Sequence, residues 1–296
     1  MPKVLYLQTF HVDFPDMNGL MSINDDICVM YNTDSRRFKY FTISGSKFIT
    51  TKEIIDDSIN KNPGSIFSAS VKILGVTNYN GEIVLSDDTF QIRRLKTNGT
   101  FEKLSPSFTT DKLMFYGIHA ANNNEILVGF TVSGGSSAGI LELLDISPVI
   151  QTCKMRRVEC SSNSFKTLFN LPKKITTNIN RYICVIDYLN AKSGRVVAIG
   201  TWGQPKWAYN GHPSINSENE FYPNDIITTS PGLELVAAKN TNAIHVLSKD
   251  GQFICNCISS SGIIAPVSIC FNKKGQLMIG CLDSGKTILH MVKLLE

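Results

Sequence analysis

The chain has 296 residues, with 29 Lys and Arg against 25 Asp and Glu, for a net charge of +4. Hydrophobic residues make up 43% and charged residues 18%, which excludes a disordered polyelectrolyte and supplies no charge excess of the kind a sequence-blind nucleic-acid binder carries. No run approaches the ~18 apolar residues of a membrane span, and the opening MPKVLYLQTFHVDFPD has no secretory leader pattern, so a cytoplasmic chain without membrane contact is expected.

In chain order, the first element is a strand over Val4–Phe10 with no partner beside it. Short strands follow, punctuated by polar hairpins at Asn24-Asp25, Asn78-Tyr79-Asn80-Gly81, Asn122-Asn123-Asn124, Asn178-Ile179-Asn180, Ser230-Pro231-Gly232 and Asn272-Lys273-Lys274-Gly275. These six recur at intervals of roughly 40–60 residues, the range of propeller blades. A second set of turns, at Ser44-Gly45, Asn98-Gly99, Ile146-Ser147-Pro148, Trp202-Gly203 and Asp250-Gly251, separates a third from a fourth strand. It has five members, because the chain ends after the third strand of the last blade. The unpartnered Val4–Phe10 strand is therefore expected to complete that blade, closing the ring and removing a sheet edge. The whole chain, 1–296, reads as one all-β domain: a six-bladed β-propeller with four-stranded antiparallel blades. Ile49–Ile59 comes nearest to a helical stripe and reads as a connection between blades. Asn98-Gly99-Thr100 fits a glycosylation sequon and reads as a turn.

The eight cysteines (28, 153, 160, 184, 255, 257, 270 and 281) form no C-x-x-C pair and read as small buried hydrophobes. The five histidines show no metal-ligand spacing, and Gly134-Gly135-Ser136-Ser137 lacks the rest of a phosphate loop. The inner strands read Gly117-Ile118-His119, Ile226-Ile227-Thr228 and Val267-Ser268-Ile269, offering hydroxyls and His119 but no acidic set. No catalytic, cofactor or metal residue is assigned on that basis. Binding candidates are of two kinds. Arg37 and Arg93 fall in equivalent strands of the first two blades and are expected to make a positive patch suited to phosphate or acidic side chains. Trp207, Tyr209, His212 and Asn216 mark the block WAYNGHPSIN, either a recognition loop or an ordered connection filling the gap between blades. Lys154, Arg156, Arg157, Lys173 and Lys174 read as solubilising surface.

The phrases NAIHVLSKDGQFI and SICFNKKGQLMIG, within Asn224–Ile254 and Pro266–Lys293, resemble NHL repeats. The segment Gly194–Ile226, with its GHPSIN and FYPNDI, is similar to the C-terminal propeller of invertebrate tripartite-motif (TRIM) proteins. The resemblance covers residues 165–296 well and 1–160 more weakly. It implies a macromolecular recognition module, binding a protein partner as the substrate-recognition part of a ubiquitin-ligase system, with RNA as the alternative ligand; a metal-dependent enzyme, of the kind found on related propellers, ranks last. The RING, B-boxes and coiled coil of that family are absent from this sequence. The expectation is therefore a non-enzymatic propeller, needing no cofactor and monomeric by itself.

Overall fold

The computed structural model describes residues 2–24, 26–56, 72–88, 91–96, 98–104, 113–122, 125–132, 138–144, 154–158, 168–258 and 261–295. Three regions singled out in the sequence, the Gly134–Ser137 loop, the Ile146–Pro148 turn and Cys153 with Cys160, lie outside them.

Among the described residues, twenty-four strands form six four-stranded antiparallel sheets. After β1 (Lys3–Val12), the first blade is β2 (Gly19–Ser22), β3 (Cys28–Asn32), β4 (Arg37–Ser44) and β5 (Lys47–Ile55). The second is β6 (Ile73–Tyr79), β7 (Glu82–Asp87), β8 (Ile92–Leu95) and β9 (Phe101–Lys103), and the third is β10 (Leu113–Asn122), β11 (Glu125–Val132), β12 (Ala138–Leu144) and β13 (Lys154–Val158). The fourth is β14 (Pro172–Thr177), β15 (Ile183–Tyr188), β16 (Gly194–Ile199) and β17 (Pro205–Tyr209). The fifth is β18 (Asp225–Thr228), β19 (Glu234–Ala238), β20 (Ala243–Leu247) and β21 (Phe253–Asn256). The last holds β22 (Pro266–Phe271), β23 (Leu277–Asp283) and β24 (Lys286–Leu295), and β1 joins it outside β24, from Lys3 opposite Leu295 to Val12 opposite Thr287. The six-bladed ring is thus closed by the N-terminal strand.

Each blade packs both faces against its neighbours, so its middle strands are buried throughout: CVMYN in β3, ELVAA in β19 and AIHVL in β20. A continuous buried run, rather than alternation, is what two covered faces require. Buried apolar side chains gather between adjacent blades, as Leu235, Ile244 and Val246 do with Ile269, Leu277 and Ile279. Phe10, Phe14 and Met17 fill the corresponding space between the last blade and the first. Outer strands obey different rules. β5 is exposed over most of its length, which is why its segment shows neither period. The expected connection over Ile49–Ile59 is corrected accordingly, since residues up to Ile55 pair with β4 as the outer strand.

Buried polar groups also link blades. Glu234 is fully buried; its Oε1 accepts from Asn178 Nδ2 at 2.9 Å and from the Cys184 thiol at 3.1 Å. Burial pushes its carboxyl up to about 7, above the ordinary ~4.3. Between those values the folded chain holds a proton that the unfolded chain has released. Stability is therefore full below the lower value and falls as pH rises through the upper one. Glu234→Gln, which keeps the acceptor and removes the charge, is expected to raise Tm by several degrees at about pH 8 and far less at about pH 5. Equal gains at both would contradict this assignment.

Candidate functional site

The inner strands β2, β6, β10, β14, β18 and β22 pack in a ring around the propeller axis. At the end where they begin, four of them are irregular. The register slips at Leu74 in β6, at Tyr116-Gly117 in β10, at Lys173 in β14 and at Val267 in β22. A bulge lets an extra residue re-aim a side chain that regular pleating would send elsewhere. Here the bulges lie at one mouth of the central channel.

A polar cluster joining four blades occupies that mouth. Lys174 of β14 donates to the Tyr31 hydroxyl of β3 at 3.1 Å and pairs with Asp225 of β18 at 3.4 Å. The other oxygen of Asp225 accepts from the Ser268 hydroxyl and from the Ile269 N–H at 3.0 Å. Ser268 in turn accepts from the Leu20 N–H of β2 at 3.0 Å. Tyr31 reaches the axis because Gly19 opposite has no side chain; a Cβ there would sit 2.0 Å from the phenol ring. Asp225 and Tyr31 together hold the Lys174 ammonium protonated, raising its pKa against the opposing effect of burial. It serves as a fixed positive charge.

Lys173, the bulged residue, behaves differently. Its Nζ lies 5.2 Å from the centre of the Tyr116 ring. Partial burial, then the neighbouring charge of Lys174, lower its pKa, against a weaker opposite pull from Asp34. The bulged backbone fits against its neighbour because Gly117 is bare: a Cβ there would come within 2.8 Å of the Lys173 carbonyl. Further along the channel, His119 Nε2 lies 3.3 Å from Thr177 Oγ1, and burial drives its pKa down to about 4. It is a neutral imidazole at ordinary pH.

The site residues expected from sequence are placed elsewhere. Arg37 is bound to Glu53, with Nε 2.9 Å from Oε1, and Arg93 is buried between Asp56 at 2.8 Å and Asp87 at 2.7 Å. Arg37 is paired within its own blade, while Arg93 pairs both with Asp87 of its blade and with Asp56, which follows the outer strand of the first blade. Trp207 donates to the Lys249 carbonyl at 3.3 Å, Tyr209 Oη meets His245 Nδ1 at 2.8 Å, and the His212 ring stacks on Phe253 at 4.0 Å. Asn216 Oδ1 accepts from the His212 N–H at 3.0 Å, within a turn set by Gly211 at φ +95°. That block packs the outer edges of the fourth and fifth blades together. The residues that do converge, Tyr31, Lys173, Lys174, Asp225 and Ser268, come from four blades, the two lysines sharing β14. Of these, Lys173 and Lys174 were expected on the solvated surface, and the Pro-Lys-Lys opening an inner strand was the signal that could have revealed them.

A divalent cation does not suit this donor set. Calcium takes six to eight oxygens, yet Asp225 is the single carboxylate in the cluster and already holds Lys174 and Ser268. Among the described residues no group of three or more His, Cys, Asp or Glu side chains could hold a metal. Nor is any helix long and apolar enough to cross a membrane.

No protein-family model matches the chain. No curated protein matches it either, so the resemblance to TRIM propellers gains no support from those comparisons. Solved structures do match over nearly the full length. A putative gluconolactonase aligns at 13% identity and TM-score 0.63, over 98% of this chain and 94% of its own. A streptogramin B lyase aligns at 16% and 0.59, over 99% and 98%. A calcium-binding regucalcin from Agrobacterium tumefaciens strain C58 aligns at 10% and 0.62, over 97% and 95%. These matches correct the expectation of a non-enzymatic recognition module for protein or RNA, which rested on likeness to TRIM propellers: the rings similar to this one include a named lactonase and a named lyase. At such low identity they establish the architecture, and the chain is a six-bladed β-propeller of the kind those proteins share.

Proposed function

We propose that this chain is a small-molecule enzyme whose reacting centre is the channel mouth around Lys173, Lys174, Tyr31, Asp225 and Ser268, and that its substrate is a compact organic carboxylate. The observation that carries this reading is the Lys174 ammonium, fixed between Asp225 and Tyr31 of different blades and still partly open to solvent. An immobilised cation beside a second lysine favours an anion, while Asp225 is committed to Lys174 and Ser268 and Asp34 acts on Lys173 more weakly than burial and the Lys174 charge do. The names of the lactonase and the lyase among the similar structures support small-molecule chemistry on such a ring. The donor set supports chemistry carried by side chains: Lys174 stays charged and anchors, and Lys173 can shed its proton and act as base or nucleophile.

Calorimetric titration with a panel of small carboxylates, oxalate and pyruvate among them, tests the proposal. Binding is expected for the intact chain and weakened about tenfold to a hundredfold in Lys174→Met, the loss that goes with removing one charge-assisted hydrogen bond. Unchanged affinity in the variant, or no binding to the intact chain, would overturn it.

A further inference from the structure

Consecutive residues of a regular strand point to opposite faces, so Lys173 and Lys174 would ordinarily be kept apart. The bulge in β14 removes that constraint, since Pro172 pairs with Asp187 and Lys174 with Ile186, leaving Lys173 as the extra residue. Both lysines then reach tyrosines at the channel mouth, Lys173 over the Tyr116 ring and Lys174 over the Tyr31 ring at 5.8 Å. Their environments divide the labour. Lys174 has a carboxylate and a phenol fixing its ammonium, whereas Lys173 has an aromatic face and, among the described residues, no ion pair.

We infer that Lys173 is a nucleophilic amine that forms an imine with a 2-oxo acid whose carboxylate pairs with Lys174. The inference rests on the small-carboxylate reading above and names the substrate class. A 2-oxo acid carries its carboxylate and its electrophilic carbonyl on adjacent carbons, so it needs a cation and an amine side by side, as two successive lysines at a bulge provide. The Lys173 nitrogen lone pair attacks the carbonyl carbon, and the carbonyl π pair moves to oxygen, which takes up a proton while the nitrogen gives one up. The resulting hydroxyl takes a further proton and leaves as water as the nitrogen lone pair closes the C=N bond. Neutral amine, carbonyl and one proton thus yield the protonated imine and water, with no oxidant or reductant. Burial first, and then the neighbouring positive charge of Lys174, favour the neutral form of this amine, against a weaker pull from Asp34.

The test is reductive trapping on the full chain with pyruvate and cyanoborohydride, followed by peptide mass mapping. Lys173 is expected to gain a carboxyethyl group several-fold faster than any exposed lysine. Oxalate, which has the carboxylates but no ketone, should slow that labelling, and Lys174→Met, verified as folded by circular dichroism, should abolish the preference. Labelling of Lys173 no faster than that of exposed lysines, with oxalate still bound by the intact chain, would overturn the imine and leave the carboxylate site standing. Absence of both would overturn the two together.

Discussion

A chain lacking residues 1–12 is expected to melt about 10 °C below the full chain. The deletion removes the outer partner of β24 from Thr287 to Leu295 and takes Phe10 and Val12 out of the core between the last and first blades. Losing these two buried side chains costs about 5 kcal/mol by analogy with large-to-small core substitutions, and each kcal/mol is worth about 2 °C in a domain of this size. The deletion also bares β24 as a sheet edge, so aggregation on heating should increase. Differential scanning calorimetry of the two chains reads both effects. A melting temperature within about 2 °C of the full chain's would mean that β1 does not hold the ring shut.

The second large effect is expected at Asp225. Asp225→Ala strands the Ser268 hydroxyl and the Ile269 N–H, and it leaves the Lys174 ammonium without its carboxylate. Breaking a buried pair from one side typically costs about 3–5 kcal/mol; here Lys174 stays partly open to solvent, so the low end of that range is expected, the two stranded hydrogen-bond donors included. Urea denaturation should show a loss of that size with an unchanged slope. Asp225→Asn, which keeps an acceptor for Ile269, should lose less stability yet still release Lys174 and weaken carboxylate binding. If Asp225→Ala cost under about 1 kcal/mol, the four-blade cluster would not be a structural unit.

The ring itself was legible in the chain because its signals are local. Turns such as Asn78–Gly81 and Ser248–Gly251 are short, polar and regularly spaced, and the unpartnered Val4–Phe10 strand left one closure available. β5 was lost for a physical reason: an outer strand exposed on both faces has no periodic pattern to read. The site was not legible, because its residues meet only when the ring closes. Tyr31 reaches Lys174 past Gly19 from 143 positions away in sequence, and the bulge that brings Lys173 beside Lys174 is a feature of pairing, not of composition. The conspicuous block from Trp207 to Asn216 uses its aromatic rings and its His–Asn turn to join two blade edges. Arg37 and Arg93 looked like a shared patch in linear order, but carboxylates from neighbouring strands bind each of them.

A crystal structure of the full chain with oxalate bound tests whether the channel mouth at Lys173 and Lys174 is the reacting centre. The account predicts oxalate at the mouth of the channel, one carboxylate on the Lys174 ammonium and the other facing Lys173, with Asp225 and Tyr31 still holding Lys174. Oxalate seated elsewhere on the ring, with Lys173 and Lys174 untouched, would contradict it.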